Sequence, residues 1–331
     1  MSRPESTRQI DSESEPARRS TTRSGAQPTS TIRSRLVTSS MRRIVRPALD
    51  RMPPDQRALG RLRTMTNGAG RASALETSAN WVVDGPVPGL WVGRRSFFSS
   101  DRVIYMIHGG GFTFGSPWSH KFLAGRIARE SASPVFLPDY RLAPEHCYPA
   151  AVDDVEAGYH WLVEQGYHPE NIVVCGDSAG GNLALQLQSR LLEHGKDTPS
   201  GIILISPWVD MDLSDMTTRD LERKDPFLAL SFVERSRDLY APDLAPEDPR
   251  ISPVNMRFSG DWPPVFIQSG GAEIIAGGIE LLHERLVAAG VDSTHQVWPD
   301  QVHVFQAFHP LIPEAVDAVR NIGKFIRSLD E

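Results

Sequence analysis

The sequence predicts an α/β fold: a mainly parallel sheet covered by helices on both faces. Two observations carry this. From residue 80 onward, short apolar runs alternate with stretches of helical periodicity, the pattern of repeated strand–helix–strand crossovers. Several runs, such as Ile202–Ile205, are apolar at every position, which suits strands buried on both faces. At 331 residues with 40% apolar side chains, the chain has ample material for such a core.

The strands are expected at Trp81–Val83, Leu90–Arg94, Val103–Ile107, Val135–Pro138, Ile172–Cys175, Ile202–Ser206, Val265–Gln268 and His295–Trp298. Helices are expected at Lys121–Ser131, Ala150–Gln165, Ala179–His194, Leu230–Tyr240, Ile279–Ala289 and Ile312–Leu329. The first strands are joined by short turns and should form an antiparallel edge. Trp208–Pro264 breaks the alternation and reads as an insertion over the sheet.

The N-terminal part has a different character. Residues 1–31 are rich in Ser, Thr, Arg and Pro, hold almost no large apolar residue, and are expected to be disordered. They lack the roughly 7–15-residue apolar run of a secretory signal. Glu5, Asp11, Glu13 and Glu15 argue against an organelle transit peptide, so a cytoplasmic protein is expected. Ile32, Leu36, Val37, Met41, Ile44 and Val45 then recur at helical spacing among Arg33, Arg35, Arg42 and Arg43. This predicts an amphipathic helix ending near Pro47 and packed against the body; a membrane surface is the alternative seat. A second helical stretch follows at Asp55–Thr66.

Net charge is −6. The first fifty residues carry +5, which leaves −11 on the remainder. An acidic body excludes nucleic acid as the main partner. No run approaches the about 18 to 20 apolar residues of a membrane span, so stable insertion is not expected. Two cysteines cannot make a disulfide framework: Cys175 reads as a buried side chain and Cys147 as a free thiol. No Cys/His cluster has metal-ligand spacing, so no metal is expected. Composition leaves a homodimer open.

Three segments carry chemistry. Gly176-Asp177-Ser178-Ala179-Gly180 follows a strand and opens a helix. A serine on such a sharp turn projects its hydroxyl above the sheet, and small residues two before and two after let strand and helix backbones approach. His108-Gly109-Gly110-Gly111-Phe112 follows the strand Val103–Ile107. Consecutive glycines let backbone N–H groups converge where negative charge develops on a carbonyl oxygen. The amides of Gly109, Gly110 and Ala179 are the expected oxyanion donors, and His108 is expected to hold the loop. A phosphate cradle is excluded, because no Lys-Ser/Thr follows the glycines.

The third segment is Pro299–Phe305, a loop after the last strand, where His303 is the expected base. The acid should follow Val265–Gln268, and Glu273 is the first carboxylate there, with Asp292 and Asp300 as alternatives. A buried carboxylate fixes the histidine tautomer and stabilises the imidazolium that forms. His309 precedes Pro310 and reads as the end of a turn. Phe112, Phe114, Trp118, Trp208 and Met211 are candidates for an apolar substrate pocket.

These motifs, together with Asp139–Glu145, Pro149-Ala150-Ala151 with Asp154, Asn182, Asp248-Pro249 with Ser252-Pro253, and Phe305, occur in order from about Val103 to the C-terminus. The sequence closely resembles the hormone-sensitive-lipase group of α/β hydrolases, which includes bacterial carboxylesterases and acetyl hydrolases. The resemblance implies the α/β-hydrolase fold with a central eight-stranded, mostly parallel sheet over 32–331. It implies a helical cap from about 32–66 and 208–250, with the Asp139–Glu145 run and Asp154 supporting the site. It implies a serine carboxylesterase acting on short- to medium-chain esters, with a small-molecule ester as partner and no cofactor. An N-acetyl hydrolase, amidase or lactone hydrolase would use the same triad. A non-catalytic small-ligand receptor is the reading from another class, disfavoured by the presence of Ser178 and His303. One departure stands out: most members carry Asp where this chain has Glu273-Ile274-Ile275.

Overall fold

The computed structural model describes residues 30–53, 56–72 and 78–330. Eight strands form one sheet: β1 (Ser78–Val82), β2 (Gly89–Gly93), β3 (Val103–Ile107), β4 (Val135–Pro138), β5 (Ile172–Asp177), β6 (Gly201–Ile205), β7 (Val265–Gly270) and β8 (Ser293–Trp298). Their spatial order is β1-β2-β4-β3-β5-β6-β7-β8. The β1–β2 and β2–β4 pairs are antiparallel and all others parallel, as the short early connections predict.

Alternation along each strand divides the core between the two faces. Val103, Tyr105 and Ile107 of β3 join one cluster with Val174, Leu204 and Ile267. Ile104 and Met106 join the other with Val173, Ile203 and Phe266. The first face is covered by α5 (Ala150–Glu164), α6 (Ala179–Glu193) and α9 (Ala276–Ala288), and the second by α4 (Pro117–Ser131) and α10 (Pro313–Ser328). Cys175 lies inside the second cluster, while Cys147 is half-buried, and both thiols are free.

Helix α1 (Ile32–Ser40) continues through a π-helical run, Met41–Val45, into α2 (Arg46–Asp50), so the chain stays helical through Pro47 instead of ending there. Proline removes an N–H and crowds the carbonyl four residues back, and a widened turn before it accommodates both effects. Arg46 N–H accordingly reaches back five residues to the Met41 carbonyl. The expected disordered segment falls outside the described residues except at its end, where the expectation is corrected. Ser30 is buried with its hydroxyl donating to the Pro299 carbonyl, and Thr31 N–H donates to Glu314 Oε1 at 2.6 Å. The predicted burial of the α1 apolar residues also fails in part. Val37, Met41 and Val45 are half-buried, but Ile32, Leu36 and Ile44 are exposed.

Helix α3 (Gln56–Ala72) runs past the predicted end at Thr66; Asp55 lies outside the described residues. The insertion after β6 contains α7 (Ser214–Glu222) and α8 (Leu230–Tyr240). Asn182 on α6 anchors it by donating to the carbonyls of Trp208 at 2.8 Å and Ile251 at 2.9 Å.

Candidate active site

Ser178 sits between β5 and α6 with φ 52° and ψ −121°, in the left-handed half of conformational space that disfavours an L side chain. Its neighbours make this turn possible. A Cβ on Gly176 would lie 2.3 Å from the Gly180 carbonyl oxygen, and one on Gly180 would lie 2.1 Å from that of Ile107. Only glycine allows these backbones to touch.

His303 lies in the loop after β8. Its Nε2 is 2.9 Å from Ser178 Oγ, and its Nδ1 is 2.7 Å from Glu273 Oε2. Both His303 and Glu273 are buried. The second oxygen of Glu273 accepts the Ser206 hydroxyl at 2.7 Å and the Gly270 N–H. The longer glutamate therefore spans from its loop to the imidazole, and both oxygens are partnered. The alternative acids do not reach His303: Asp300 takes Arg223 at 2.9 Å, and Asp292 is exposed on the loop before β8. His309 lies at a cis peptide bond with Pro310, beyond this group.

The glycine loop is placed differently from the expectation. Gly109 N–H donates to Asp177 Oδ1 at 3.1 Å, so that amide is already engaged. Gly110 and Gly111, with φ of 124° and 56°, line the cavity above Ser178. The loop donors free to face an oxyanion are thus Gly110 and Gly111, beside the N–H of Ala179 at the start of α6. His108 holds the loop: Nδ1 bonds the Gly109 carbonyl at 2.9 Å, and the ring stacks on Tyr140 at 4.1 Å. Burial and the neighbouring His120 push its pKa down to about 3, so it stays neutral. The Tyr140 hydroxyl donates to the His108 carbonyl at 2.6 Å, and Ala143 N–H to the Phe112 carbonyl at 3.0 Å. Arg141 and Asp154 pair at 2.7 Å beneath.

A cavity of about 510 Å³ opens over Ser178 and His303. Its walls include Leu49, Phe114, Phe122, Phe227, Phe232 and Phe308, drawn from the N-terminal helices, the glycine loop, α4, the insertion and the segment after His303. Phe227 also stacks on the His303 ring at 6.0 Å.

Residues 104–307 match a family model described as the alpha/beta hydrolase fold. The chain belongs to the α/β-hydrolase fold family. An esterase of Acinetobacter venetianus is 36% identical over 70% of this chain and 77% of its own. A carboxylesterase/phospholipase of Mycobacterium tuberculosis, LipF, is 37% identical over 71% of this chain and 64% of its own. The crystal structure of EstE5, 31% identical, superposes with a TM-score of 0.82 over 90% of this chain and 99% of that one. Another esterase structure, described as from the bacterial hormone-sensitive lipase family, reaches the same TM-score over 92% of this chain.

Three pocket assignments for this α/β hydrolase need correction. Trp208 lines the cavity, but Phe112 and Met211 do not. Phe112, at a positive φ of 60°, is fully buried and stacks on Tyr240 at 3.7 Å. Met211 is equally buried among core side chains. Trp118 stacks on Trp81 instead.

Sequence reasoning missed two residues of this hydrolase's site. Ser206, one residue past β6 and with φ 45°, donates to Glu273 and accepts Val304 N–H at 3.2 Å. Asp225, in the insertion, is fully buried. It accepts the N–H groups of Phe227 at 2.7 Å, Leu228 at 2.9 Å and Ile274 at 2.9 Å. Burial pushes its carboxyl up to about 6, against those three bonds and with help from the nearby Glu273 charge. Its carbonyl accepts Arg46, whose guanidinium also binds Asp220 at 2.8 and 2.7 Å. The N-terminal helix, the insertion and the acid loop are therefore tied through Asp225.

Proposed function

We propose that this chain hydrolyses short- to medium-chain carboxylic esters through an acyl-enzyme formed on Ser178. His303 Nε2 takes the Ser178 proton as Oγ attacks the ester carbonyl. Glu273 holds the imidazole and balances its positive charge. The N–H groups of Gly110, Gly111 and Ala179 donate hydrogen bonds to the developing oxyanion. His303 then protonates the departing alcohol, and water, activated by the same histidine, releases the acid.

The observation that carries this reading is the continuous Ser178–His303–Glu273 hydrogen-bond chain on the floor of an apolar cavity. Ester hydrolysis is also the activity in the names of the esterase relatives. We assign the cap to the N-terminal helices and the insertion. The expected segment 32–66 is extended along α3, since Ala69 and Gly70 also line the cavity.

A fluorophosphonate probe tests the nucleophile: it should label the chain and fail on Ser178→Ala. Equal labelling of both would overturn the assignment. A series of p-nitrophenyl esters tests the substrate class, with turnover expected to peak at short or medium acyl chains. A rise continuing to long chains would exclude it.

A further inference from the structure

The outward face of the N-terminal helix carries a pattern that folding does not explain. Ile32, Leu36 and Ile44 are 76%, 64% and 69% exposed. Arg33, Arg35, Arg42 and Arg43 are exposed among them. From Thr31 to Arg51 the sequence holds six arginines and a single acid, Asp50, in a chain of net charge −6. Beside this face is a surface cleft of about 660 Å³. Arg42, Arg46 and Arg51 line one side, and Arg223 and Lys224 belong to the other.

Some of these cations are accounted for. Arg46 is held by Asp220 and Asp50, and Arg223 by Asp300. Arg42 and Arg51 form no ion pair among the described residues, and Lys224 is only near the charge of Asp220, which is itself bound by Arg46. Leu221, 83% exposed, lies just ahead of Arg223 in the chain.

The occupant must account for both the cations and the apolar side chains. A small anion would use the cleft and leave Ile32, Leu36 and Ile44 without a role, as would a nucleic acid. A second copy meeting this face two-fold would set arginine against arginine with almost no acid between them. An anionic bilayer uses everything: phosphates meet the cations, and the apolar side chains enter the boundary between headgroups and acyl chains. The acidic remainder of the chain would be repelled by such a surface, which orients the molecule with this face down.

We propose that this face docks peripherally on an anionic lipid bilayer, with lipid phosphates at Arg42, Arg51 and Lys224. Leu49, on the same short helix α2, lines the ester cavity. Docking therefore brings that cavity to within about one helix diameter, roughly 10–12 Å, of the lipid surface.

Co-sedimentation of the full chain with vesicles tests this without reference to hydrolysis. Binding is expected to phosphatidylglycerol-containing vesicles, to fall with salt, and to be weak on pure phosphatidylcholine. Arg42→Glu with Arg43→Glu should weaken it by at least about 25-fold, given the roughly fivefold effect of each basic residue lost near such a surface. Leu36→Asn with Ile44→Asn should weaken it about tenfold at unchanged salt dependence. Unaltered thermal midpoints establish that both variants are folded. Three results would overturn the proposal: equal binding to neutral vesicles, full binding by the Arg42→Glu/Arg43→Glu variant, or a dimer that Leu36→Asn/Ile44→Asn abolishes.

Discussion

The N–H of Gly109 donates to the carboxylate of Asp177, joining the first glycine of the oxyanion loop to the residue before the nucleophile. The other Asp177 oxygen is 3.2 Å from His120 Nε2. One buried carboxylate thus sets the distance between the two halves of the oxyanion site.

Asp177→Ala should consequently lower kcat on the order of 10- to 100-fold while changing KM little, because the loss falls on transition-state donors. The same pair predicts a pH effect. Burial opposes charge on both groups, but their mutual attraction outweighs it, raising the His120 pKa and lowering that of Asp177. The His120 contribution to stability is complete below the ordinary histidine pKa of about 6.5 and is lost as pH rises through its raised value. Thermal midpoints of the wild type should fall over that range, and those of Asp177→Ala should not show this component.

Glu273→Gln should reduce kcat by about 10⁴-fold, the order expected when a triad acid loses its charge and tautomer control. Ser206→Ala acts one step further out. It removes a hydrogen bond to a charged oxygen, worth about 1.5–3 kcal/mol, and should lower kcat roughly 10- to 100-fold. Steady-state kinetics on one soluble ester compares the two.

Gly110→Ala should abolish turnover and lower the thermal midpoint. Its Cβ would lie 2.0 Å from the Phe114 carbonyl oxygen at a φ of 124°, so the loop must open. Wild-type kinetics in this variant would remove Gly110 from the oxyanion site.

Asp225 gives an opposite pH sign to the usual carboxylate. Its pKa, raised to about 6, means the folded state holds a proton that the unfolded chain has released. Its effect is to make stability fall as pH rises from about 4 to about 6, by roughly 3 kcal/mol at most. Asp225→Asn should remove that slope, as read from denaturant midpoints across the range.

The legible parts of the sequence were those in which local pattern and tertiary role coincide. The all-apolar β3 and β4 have the predicted bounds, and α8 does as well. Helix α7 was not foreseen, because Ser214–Glu222 buries only Met216 and so has no periodic apolar face to display. Which glycine amides remain free depends on Asp177, 68 residues away, and no local spacing encodes that. Phe112 and Phe114 read alike in sequence, yet one stacks on Tyr240 in the core and the other lines the cavity, a difference set by tertiary partners that local pattern does not display. Ser206 was hidden as the end of an apolar strand, its role created only where the loops after β7 and β8 converge on it.

Helix α2 is the last five residues of the continuous helical stretch that begins at Ile32. Leu49 faces the ester cavity while Arg46, Asp50 and Arg51 face the outer cleft. The two spaces share this thin partition. The inner wall at Leu49 and the basic outer surface are thus built from neighbouring residues of one short stretch of chain.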